Sequence, residues 1–585
     1  MKSRPRYVQG GGFLLGRLAP GELFTREDLG PEQNAIRDTV KKFWDSEIAP
    51  NIQRILEHEP GLVRSLMKKA AGIGLMGISI PERYGGMELD LISALVVAEE
   101  TARDGSYMVW EGGHTTIGTL PLVYFGTEQQ KLKYLPRLAS VDILTAYALT
   151  EAHAGSDALA ARTRADLADD GRHYVLNGQK MWITNAGEAG LFTVFAKVDG
   201  RDFTAFLVER NFEGLRIGAE ERKMGLRGSS TTALYLDNVR VPVENVLGEV
   251  GRGHIIALNV LNIGRLRMGA SASGAAKEVL GLSIRYANQR RAFGSPISEF
   301  GAIRQKLAEM AIRTFANESI VWRTAGLIEQ HASGVRWDSP DAARRKLAAV
   351  YEFAPECSMV KVFGSEMQDY VVDEGVQIHG GYGYHEDYAV ERAYRDSRIN
   401  RIFEGTNEIN RLLLARMLLK RALAGTLPLW ERVDEILDRP AAGHPDTDLP
   451  ENDPGRLLAS AKRIALVAFG LARKARSRDL PEQQELLMYL ADIVIQIYAM
   501  ESTVVRSEKL GGSFPASDIV RVFAEDSMSR IAGIARNVIG ACRTGDESAR
   551  WAGEVGRLAR FAPSDLIGLR QNIARHLIER ERYAL

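Results

Sequence analysis

The sequence predicts a mainly α-helical fold with a β domain inserted between helical domains. Apolar residues recur at three- and four-residue steps over 31–145 and again from residue 251 onwards, which is the spacing of amphipathic helices. Between 146 and 250 the period changes to two, and Asn177-Gly178 supplies a hairpin signal. Because strands do not alternate with helices there, a doubly wound parallel sheet is excluded.

Composition shifts divide the chain into six segments. A Gly-rich run after several basic residues indicates a flexible N-terminal arm; an organelle transit peptide is the alternative, but its Ser-rich amphipathic pattern is missing. Prolines crowd a polar stretch near residue 450, which is typical of an exposed linker. We therefore expect an arm (1–30), an N-terminal helical domain (31–145), a middle β-barrel-like or sandwich domain (146–250), a C-terminal four-helix bundle (251–425), a linker (426–455) and an additional helical domain (456–585).

Charge and cysteine usage exclude several classes of protein. The 585 residues contain 75 Lys+Arg and 75 Asp+Glu. The chain therefore has no net positive charge to attract a polyanion, which argues against a nucleic-acid-binding protein. Cys357 and Cys542 lie far apart without a metal-ligand spacing, which predicts no metal site, no disulfide and an intracellular protein. No run of 18 or more apolar residues occurs, so we expect no membrane-spanning helix.

One carboxylate stands in an unusual context. Glu404 follows the apolar pair Ile402-Phe403 and precedes Gly405-Thr406, where a long helical pattern begins. Desolvation in such a place would raise its pKa, so that it could accept a proton near neutral pH. Alternatively, Thr406 is a helix N-cap and Glu404 lies in solvent near the positive end of the helix dipole. The stretch alone leaves both interpretations open.

A second polar cluster precedes the β domain. The segment 147–157 combines hydroxyl groups with Gly155 and could present donors to a flat heteroaromatic ring, with Trp182 as a stacking face. The alternative is a polar turn and a core tryptophan. No P-loop occurs, and Gly380-Gly381-Tyr382-Gly383 follows a helical pattern, so it is a weak dinucleotide fingerprint.

Six ordered stretches carry a family resemblance when they are taken together. The six stretches are Leu149-Thr-Glu-Ala-His-Ala-Gly-Ser-Asp157, Met181-Trp-Ile-Thr-Asn185, Lys223-Met-Gly-Leu-Arg-Gly-Ser-Ser-Thr231, Arg290-Arg-Ala-Phe-Gly294, Gln377-Ile-His-Gly-Gly381 and Phe403-Glu-Gly-Thr-Asn407. With these motifs, the chain resembles the acyl-CoA dehydrogenase family over about residues 30–425, and its C-terminal extension makes it similar to the very-long-chain branch.

The resemblance implies a site that uses FAD. Glu404 would be the base that removes the α-proton of an acyl-CoA, while the β-hydride passes to the flavin; its backbone N–H would help bind the thioester carbonyl. Asn262, Arg265 and Ser156 match positions that contact the CoA substrate. The cofactor positions would be Tyr147, Leu149, Thr150, Ser156, Trp182 and Thr184 around the flavin, Thr406 and Glu408 on its phosphate and adenosine side, and Arg290, Phe293, Phe300, Gln377 and Gly381 reaching FAD from the neighbouring subunit of a homodimer.

The implied reaction is the dehydrogenation of medium- to long-chain acyl-CoA to trans-2-enoyl-CoA in fatty acid β-oxidation, with electron-transferring flavoprotein as acceptor. Two alternatives stay open: an acyl-CoA oxidase that uses oxygen, and a membrane-complex assembly or scaffold protein that retains the fold. The family's usual proline is Ala152 here, which we expect to loosen a turn. Met108 and Trp110 lie beside the small residues Gly112-Gly113, and either would shorten the acyl tunnel.

A basic amphipathic helix is predicted at 456–478, which has seven Lys/Arg and no acid. It would either lie on an anionic membrane or dock its apolar stripe on its own domain. The expected location is accordingly the cytoplasm or, with peripheral contact, the inner face of a membrane, and the mitochondrial matrix in a eukaryote.

Overall fold

A computed structural model describes residues 8–438, 449–476 and 479–585 of the chain. The first helical region contains α1 (Pro31–Phe43), α2 (Ile52–Leu56), α3 (Leu62–Gly72), α4 (Leu91–Thr101), α5 (Gly105–Gly112), α6 (Leu120–Phe125) and α7 (Glu128–Ala139). Side chains fix the starts of α4, α5 and α7: Asp90 accepts a hydrogen bond from the backbone N–H of Ser93, Asp104 from those of Ser106 and Tyr107, and Thr127 from that of Gln130. A π-helical segment, Gly113–Gly118, continues α5.

The middle region is an eight-stranded sheet with the order β6-β7-β3-β2-β4-β5-β8, in which β1 pairs with β4 in parallel. Most of the other pairings are antiparallel, and their inward residues form an apolar core of their own. The strands are β1 (Leu144–Ala148), β2 (Arg164–Leu167), β3 (His173–Thr184), β4 (Ala189–Val198), β5 (Asp202–Glu209), β6 (Leu215–Glu220), β7 (Thr231–Pro242) and β8 (Val246–Leu247).

A helical bundle follows the sheet, and its four long members are α8 (Gly253–Gln289), α9 (Gly301–Ala332), α11 (Ala354–His379) and α13 (Asn407–Leu423). The short strands β9 (Arg291–Ala292) and β10 (Ser295–Pro296) form a hairpin between α8 and α9. Two shorter helices, α10 (Ala342–Glu352) and α12 (Ala389–Ser397), complete this region. The inserted β domain between helical domains and the four-helix bundle that the sequence predicts are therefore present.

The C-terminal region is helical and packs against the bundle. Its helices are α14 (Leu429–Asp438), α15 (Pro454–Ala475), α16 (Gln484–Lys509), α17 (Ala516–Cys542), α18 (Gly545–Leu558) and α19 (Leu566–Arg580). Its apolar residues belong to the same continuous core as those of α8, α9 and α13. The region is thus built onto the bundle and shares its core.

The predicted linker at 426–455 is wrong for the residues that form α14. Leu429, Val433, Ile436 and Leu437 are buried, because this helix has a strong apolar face that packs on α15. Residues 439–448, which include Pro440 and Pro445, lie outside the described residues.

The predicted flexible arm is also wrong for residues 8–29. Phe13 and Leu14 are buried in the main core, and the Phe13 ring lies 4.8 Å from the ring of Tyr498 in α16. The backbone N–H of Gly11 donates to Glu356 Oε1 at 2.7 Å, and Arg506 holds Glu27 at 2.6 Å. The residues that hold this segment in place are more than 300 positions away in the chain. No local sequence pattern predicts these contacts.

The basic helix α15 turns its apolar stripe inward. Leu457, Leu458, Ala461, Ile464 and Leu471 are buried, and the helix packs against α14, α16 and α17. Of the two interpretations of 456–478, docking on its own domain is the one observed, and a membrane contact through this stripe is contradicted because the stripe is already covered. Residues 477–478 lie outside the described residues.

Among the described helices, α16 is long and apolar enough to cross a membrane by length and composition. Most of its residues are buried inside the protein, as in the core helix of a folded domain. Buried polar groups also run through it: Glu501 and Arg506 both have ion-pair partners within the fold. Its apolar composition is accounted for by core packing.

Candidate active site

Glu404 lies in the turn between a 3₁₀ segment, Arg398–Arg401, and the start of α13. Its backbone is left-handed, with φ of 58°, and Gly405 follows with φ of 83°. Such a conformation is costly for a residue with a side chain and persists only where the surroundings enforce it. Arg265 Nε donates to the Glu404 carbonyl oxygen at 3.1 Å, and Asn410 Nδ2 donates to the Gly405 carbonyl at 2.7 Å. The turn is thereby fixed from two sides.

The Glu404 carboxylate points into the protein. The residue as a whole is partly accessible, but its Oε2 atom is buried and has no hydrogen-bond partner within the described part of the chain. Burial raises the pKa of Glu404 to about 7, while the charges of Arg265 and Lys361 lower it in part. A solvent-exposed Glu404 is therefore wrong, although Thr406 does cap α13 by accepting from the backbone N–H of Ile409 at 3.3 Å.

A buried lysine lies behind this turn and was missed by sequence reasoning. Lys361 of α11 donates from Nζ to Asn407 Oδ1 at 2.7 Å, and the Asn407 amide donates to Ser365 and Glu366. Burial lowers the pKa of Lys361 to about 7, against the opposing charge of Glu404. Its signal was available in the sequence, where one lysine interrupts an apolar helical run.

A bulge shapes the opposite wall of the site. The register between β3 and β7 slips by one residue between Lys180 and Ile183, and Trp182 in this bulge has a φ of 58° and is 58% exposed. Bulges re-aim side chains and are frequent beside active sites. The backbone N–H of Met181 donates to the Thr150 carbonyl at 3.0 Å, which brings the two predicted flavin stretches together.

The other predicted flavin residues on this wall differ in exposure. Tyr147 of β1 is buried, its hydroxyl has no partner within the described residues, and burial together with the charge of Glu404 raises its pKa. Leu149 is buried, Thr150 and Thr184 are partly accessible, and Ser156 lies exposed in the loop that follows β1. An exposed indole face and a buried hydroxyl group without a partner in the described residues are features that a bound planar polar group would satisfy.

Two of the three predicted CoA contacts, Asn262 and Arg265, lie on α8, beneath the Glu404 turn. Asn262 and Arg265 are both buried, and Arg265 Nη1 donates to Asn262 Oδ1 at 2.7 Å. Both side chains thus support the turn from inside. Glu408 is exposed in the first turn of α13, where hydrogen bonds from its own backbone N–H and from Thr406 lower its pKa.

The remaining predicted cofactor residues form a separate exposed patch, which we call the hairpin patch. It contains Phe293, 97% exposed with a φ of 50°, and Phe300, whose ring lies 6.0 Å from that of Phe293. The Arg290 guanidinium lies 5.7 Å from the Tyr382 ring centroid. The patch consists of Arg290, Phe293, Phe300, Gln377, Gly381 and Tyr382.

This patch is remote from Glu404. Arg290 follows the end of α8, whereas Gly264 of the same helix lies beneath the Glu404 carboxylate. The 26 intervening steps correspond to about 39 Å along the axis at 1.5 Å per residue. The structure therefore brings together Glu404, Arg265, Asn262 and Thr406, and separates them from the hairpin patch of the same chain.

The two residues that are expected to shorten an acyl tunnel, Met108 and Trp110, have different surroundings. Trp110 is buried in the core of the first helical region, where its Nε1 donates to the Gly228 carbonyl at 2.9 Å. Met108 lines a cavity with Asp104, Leu226 and Asp396. Within the described ranges, no group of three or more His, Cys, Asp or Glu side chains is placed to hold a metal ion.

The fold and this site define a three-part architecture: helices, a sheet and a helical bundle around one buried carboxylate. Four family models match the chain in order: acyl-CoA dehydrogenase N-terminal domain (30–142), middle domain (146–239), C-terminal domain (251–419) and a second C-terminal domain (460–552). The chain belongs to the acyl-CoA dehydrogenase family, an oxidoreductase family.

Individual relatives agree with this assignment. A probable acyl-CoA dehydrogenase of Bacillus subtilis is 44% identical over 99% of this chain and 98% of its own length. The very long-chain specific acyl-CoA dehydrogenase of Rattus norvegicus mitochondria is 33% identical over 88% of this chain and 82% of its own. A crystal structure of an acyl-CoA dehydrogenase from Bacillus anthracis, complexed with FAD, has a TM-score of 0.96 at 43% identity and covers 99% of this chain and 100% of its own. The predicted family, enzyme class and fold class are confirmed.

Proposed function

We propose that this chain is an FAD-dependent acyl-CoA dehydrogenase that converts medium- to long-chain acyl-CoA to trans-2-enoyl-CoA in fatty acid β-oxidation. The observation that carries the proposal is that Glu404 Oε2, in the turn before α13, is buried and has no hydrogen-bond partner within the described residues. A carboxylate whose pKa is raised to about 7 by burial is suited to accept a proton from carbon near neutral pH.

In this proposal, Glu404 and the residues around it have different roles in the reaction. The Glu404 carboxylate takes the α-proton, and its backbone N–H helps to hold the thioester carbonyl, which makes the α-carbon more acidic. Arg265 and Asn410 fix the left-handed turn, so that the base stays oriented without solvent. Lys361 supplies a nearby positive charge that limits the rise of the base's pKa. Asn262, Arg265 and Ser156 are the proposed substrate contacts.

The wall opposite Glu404 would hold the flavin. FAD, when bound, supplies the acceptor for the hydride that leaves the β-carbon. Tyr147, with its unpaired hydroxyl, and Trp182, with its exposed indole face, support this fit. Leu149, Thr150, Ser156 and Thr184 would complete the flavin side, and Thr406 and Glu408 the phosphate and adenosine side. The FAD in the similar Bacillus anthracis structure supports the choice of cofactor.

A homodimer is the proposed working unit. The hairpin patch, which contains five of the predicted cofactor residues, lies about 39 Å along α8 from the base of its own chain, by the helical rise. In a two-fold dimer, each patch can instead complete the site of its partner. Sedimentation of the FAD-loaded protein should then give a dimer, and Phe293→Ala should weaken FAD binding although Glu404 is untouched. A monomer that retains FAD would contradict this part.

The chain length and the electron acceptor remain part of the proposal. The very long-chain name of the rat relative supports a substrate with a long acyl chain, and electron-transferring flavoprotein as acceptor rests on the family resemblance. The expected location is the cytoplasm of a bacterium or the matrix of a mitochondrion.

The test is an anaerobic titration of the FAD-loaded protein with acyl-CoAs of increasing chain length while the flavin spectrum is recorded. We expect bleaching in the wild type, and a yellow, FAD-bound Glu404→Gln variant that does not bleach. Glu32→Gln, which changes an exposed carboxylate in α1, is the matched control and should bleach normally. Unchanged bleaching of Glu404→Gln would refute the assignment of the base.

A parallel assay in air, together with the titration, separates the alternatives. Peroxide release under air without an added acceptor would support an acyl-CoA oxidase. An FAD-bound wild type that no acyl-CoA bleaches would support an assembly or scaffold role.

A further inference from the structure

A buried ion pair lies close to the proposed base and has no role in the proposed reaction. Arg267 of α8 is paired with Glu111 of α5; Glu111 is 0% exposed and Arg267 8%. Thr115 Oγ1 also donates to Glu111 Oε1 at 2.9 Å. Charges are rarely buried in this way unless they are paired, and paired buried charges form a rigid, water-excluding block.

The pair lies one helical turn from the Glu404 carboxylate. The Glu404 carboxylate lies over the backbone of Gly264, which has no side chain. Arg267 is three positions further along α8, on the same face of the helix. Helical side chains lean toward the N-terminus, so the Arg267 side chain leans back toward Gly264. The block therefore stands beside the place where the acyl chain would continue past the base.

One of two adjacent glycines, Gly112, packs against Arg267, and the other, Gly113, packs against residues of β3 and the turn after it. A methyl group on Gly112 would lie 2.9 Å from Arg267 Nε, so the guanidinium packs directly on the backbone there. A methyl group on Gly113 would lie 3.1 Å from Thr184 Cγ2, at the flavin side of the site. The absence of a side chain at Gly112 thus leaves a space that Arg267 occupies.

A cavity lies next to Arg267 along the same helices. It measures about 60 Å³, and neither Gly264 nor Glu404 reaches it. Its lining combines apolar residues such as Ile263, Leu95 and Leu120 with the charged residues Arg267, Asp90, Glu329 and Lys346. This volume is far below the roughly 300–1,000 Å³ of a small-molecule site, so the cavity is no separate binding site. It is, however, space that a longer chain would enter if Arg267 were shorter.

We infer that the Arg267–Glu111 pair closes the far end of the acyl pocket and sets the longest chain that the enzyme accepts. This inference rests on the proposed function. The Arg267 guanidinium packs directly on the Gly112 backbone, whereas the Trp110 indole donates to the Gly228 carbonyl. An alkyl chain cannot displace the ion pair, because separating the pair would leave a buried charge without a partner.

The test is the double variant Arg267→Met with Glu111→Gln, which removes both charges together and retains an acceptor for Thr115. The chain-length profile of kcat/KM is measured with a series of saturated acyl-CoAs. We expect the optimum to move to longer chains, with a gain of roughly fourfold for each additional methylene that becomes buried. Arg267→Met with Glu111→Leu replaces the pair by apolar groups and serves if the first variant fails to fold.

Two controls isolate the effect. Arg267→Lys retains the ion pair and should keep the wild-type profile. Lys462→Met with Glu501→Gln removes another buried pair, in the C-terminal region, and should leave the profile unchanged.

An identical profile in wild type and in a folded, FAD-bound double variant would overturn this inference and leave the proposed function standing. Failure of every acyl-CoA to bleach the wild-type flavin would instead defeat the proposed function itself.

Discussion

The carboxylate of Glu404 lies directly over the backbone of Gly264, so that a methyl group on Gly264 would come within 3.1 Å of Oε2. That distance is shorter than ordinary van der Waals contact, and one of the two groups would have to move by a few tenths of an ångström. The base of the proposed reaction and a glycine 140 positions earlier in the chain are therefore fitted to each other.

Gly264→Ala should displace the base without unfolding the protein. We expect flavin reduction by acyl-CoA to slow about tenfold or more, because small misplacements of reacting groups are costly. Stopped-flow measurement of flavin bleaching gives the rate. Gly533→Ala in α17, where an added methyl group meets open space, is the matched control and should be as active as the wild type. Equal rates in both variants would show that the contact does not constrain Glu404.

Glu404 should also make stability depend on pH in a defined direction. Burial raises its pKa from 4.5 to about 7, so the folded protein binds more protons than the unfolded chain in that window. Stability attributable to Glu404 is therefore present at low pH and lost as pH rises through about 7. Glu404→Gln should gain Tm relative to wild type between about pH 5 and about pH 8. A Tm difference that does not change with pH would contradict this prediction.

The rate should show the opposite pH dependence, because the base must be ionised to accept a proton. Flavin reduction is expected to rise with pH through a midpoint near 7, and Lys361 helps to set that midpoint by its charge. Lys361→Met should raise the pKa of Glu404 further and move the midpoint upward by about one unit. Lys462→Met, a buried lysine of α15 paired with Glu501, should leave the midpoint unchanged. An unmoved midpoint in Lys361→Met would exclude this electrostatic role.

The segment at 8–29 should contribute to stability as core. Leu14 is 1% exposed, and Leu14→Ala should lower the free energy of unfolding by about 2–5 kcal/mol. Leu132→Ala in α7, at a position 56% exposed, should change it by less than about 0.5 kcal/mol. Urea denaturation of both variants provides the comparison. Equal, small effects would restore the interpretation of residues 8–29 as a loose arm.

Several features were predictable because their signal is local. The spacing of apolar residues changes from a period of 3.6 to a period of two and back again, and this change can be observed in consecutive residues. It correctly predicted the helical domain, the sheet and the bundle. The six ordered motifs gave the family, and Thr406 was recognisable as the cap of α13 from its place before a helical run.

Other features have no local signal. The order of residues 8–29 depends on contacts such as Gly11 with Glu356, which lie 345 positions apart. The linker prediction failed at α14 because prolines further on suggested exposure, whereas the apolar face of α14 met α15 in space.

The sequence by itself determined the fold class and the family, and it predicted Glu404 as the base, since each depends on residue type at fixed spacing. Only the tertiary structure decided how that carboxylate is used. Burial against Gly264 and the nearby charges of Arg265 and Lys361 set its pKa. The Arg267–Glu111 pair likewise joins residues that are 156 positions apart in the chain. Desolvation and ion pairing depend on distances through space, which separation along the chain does not specify.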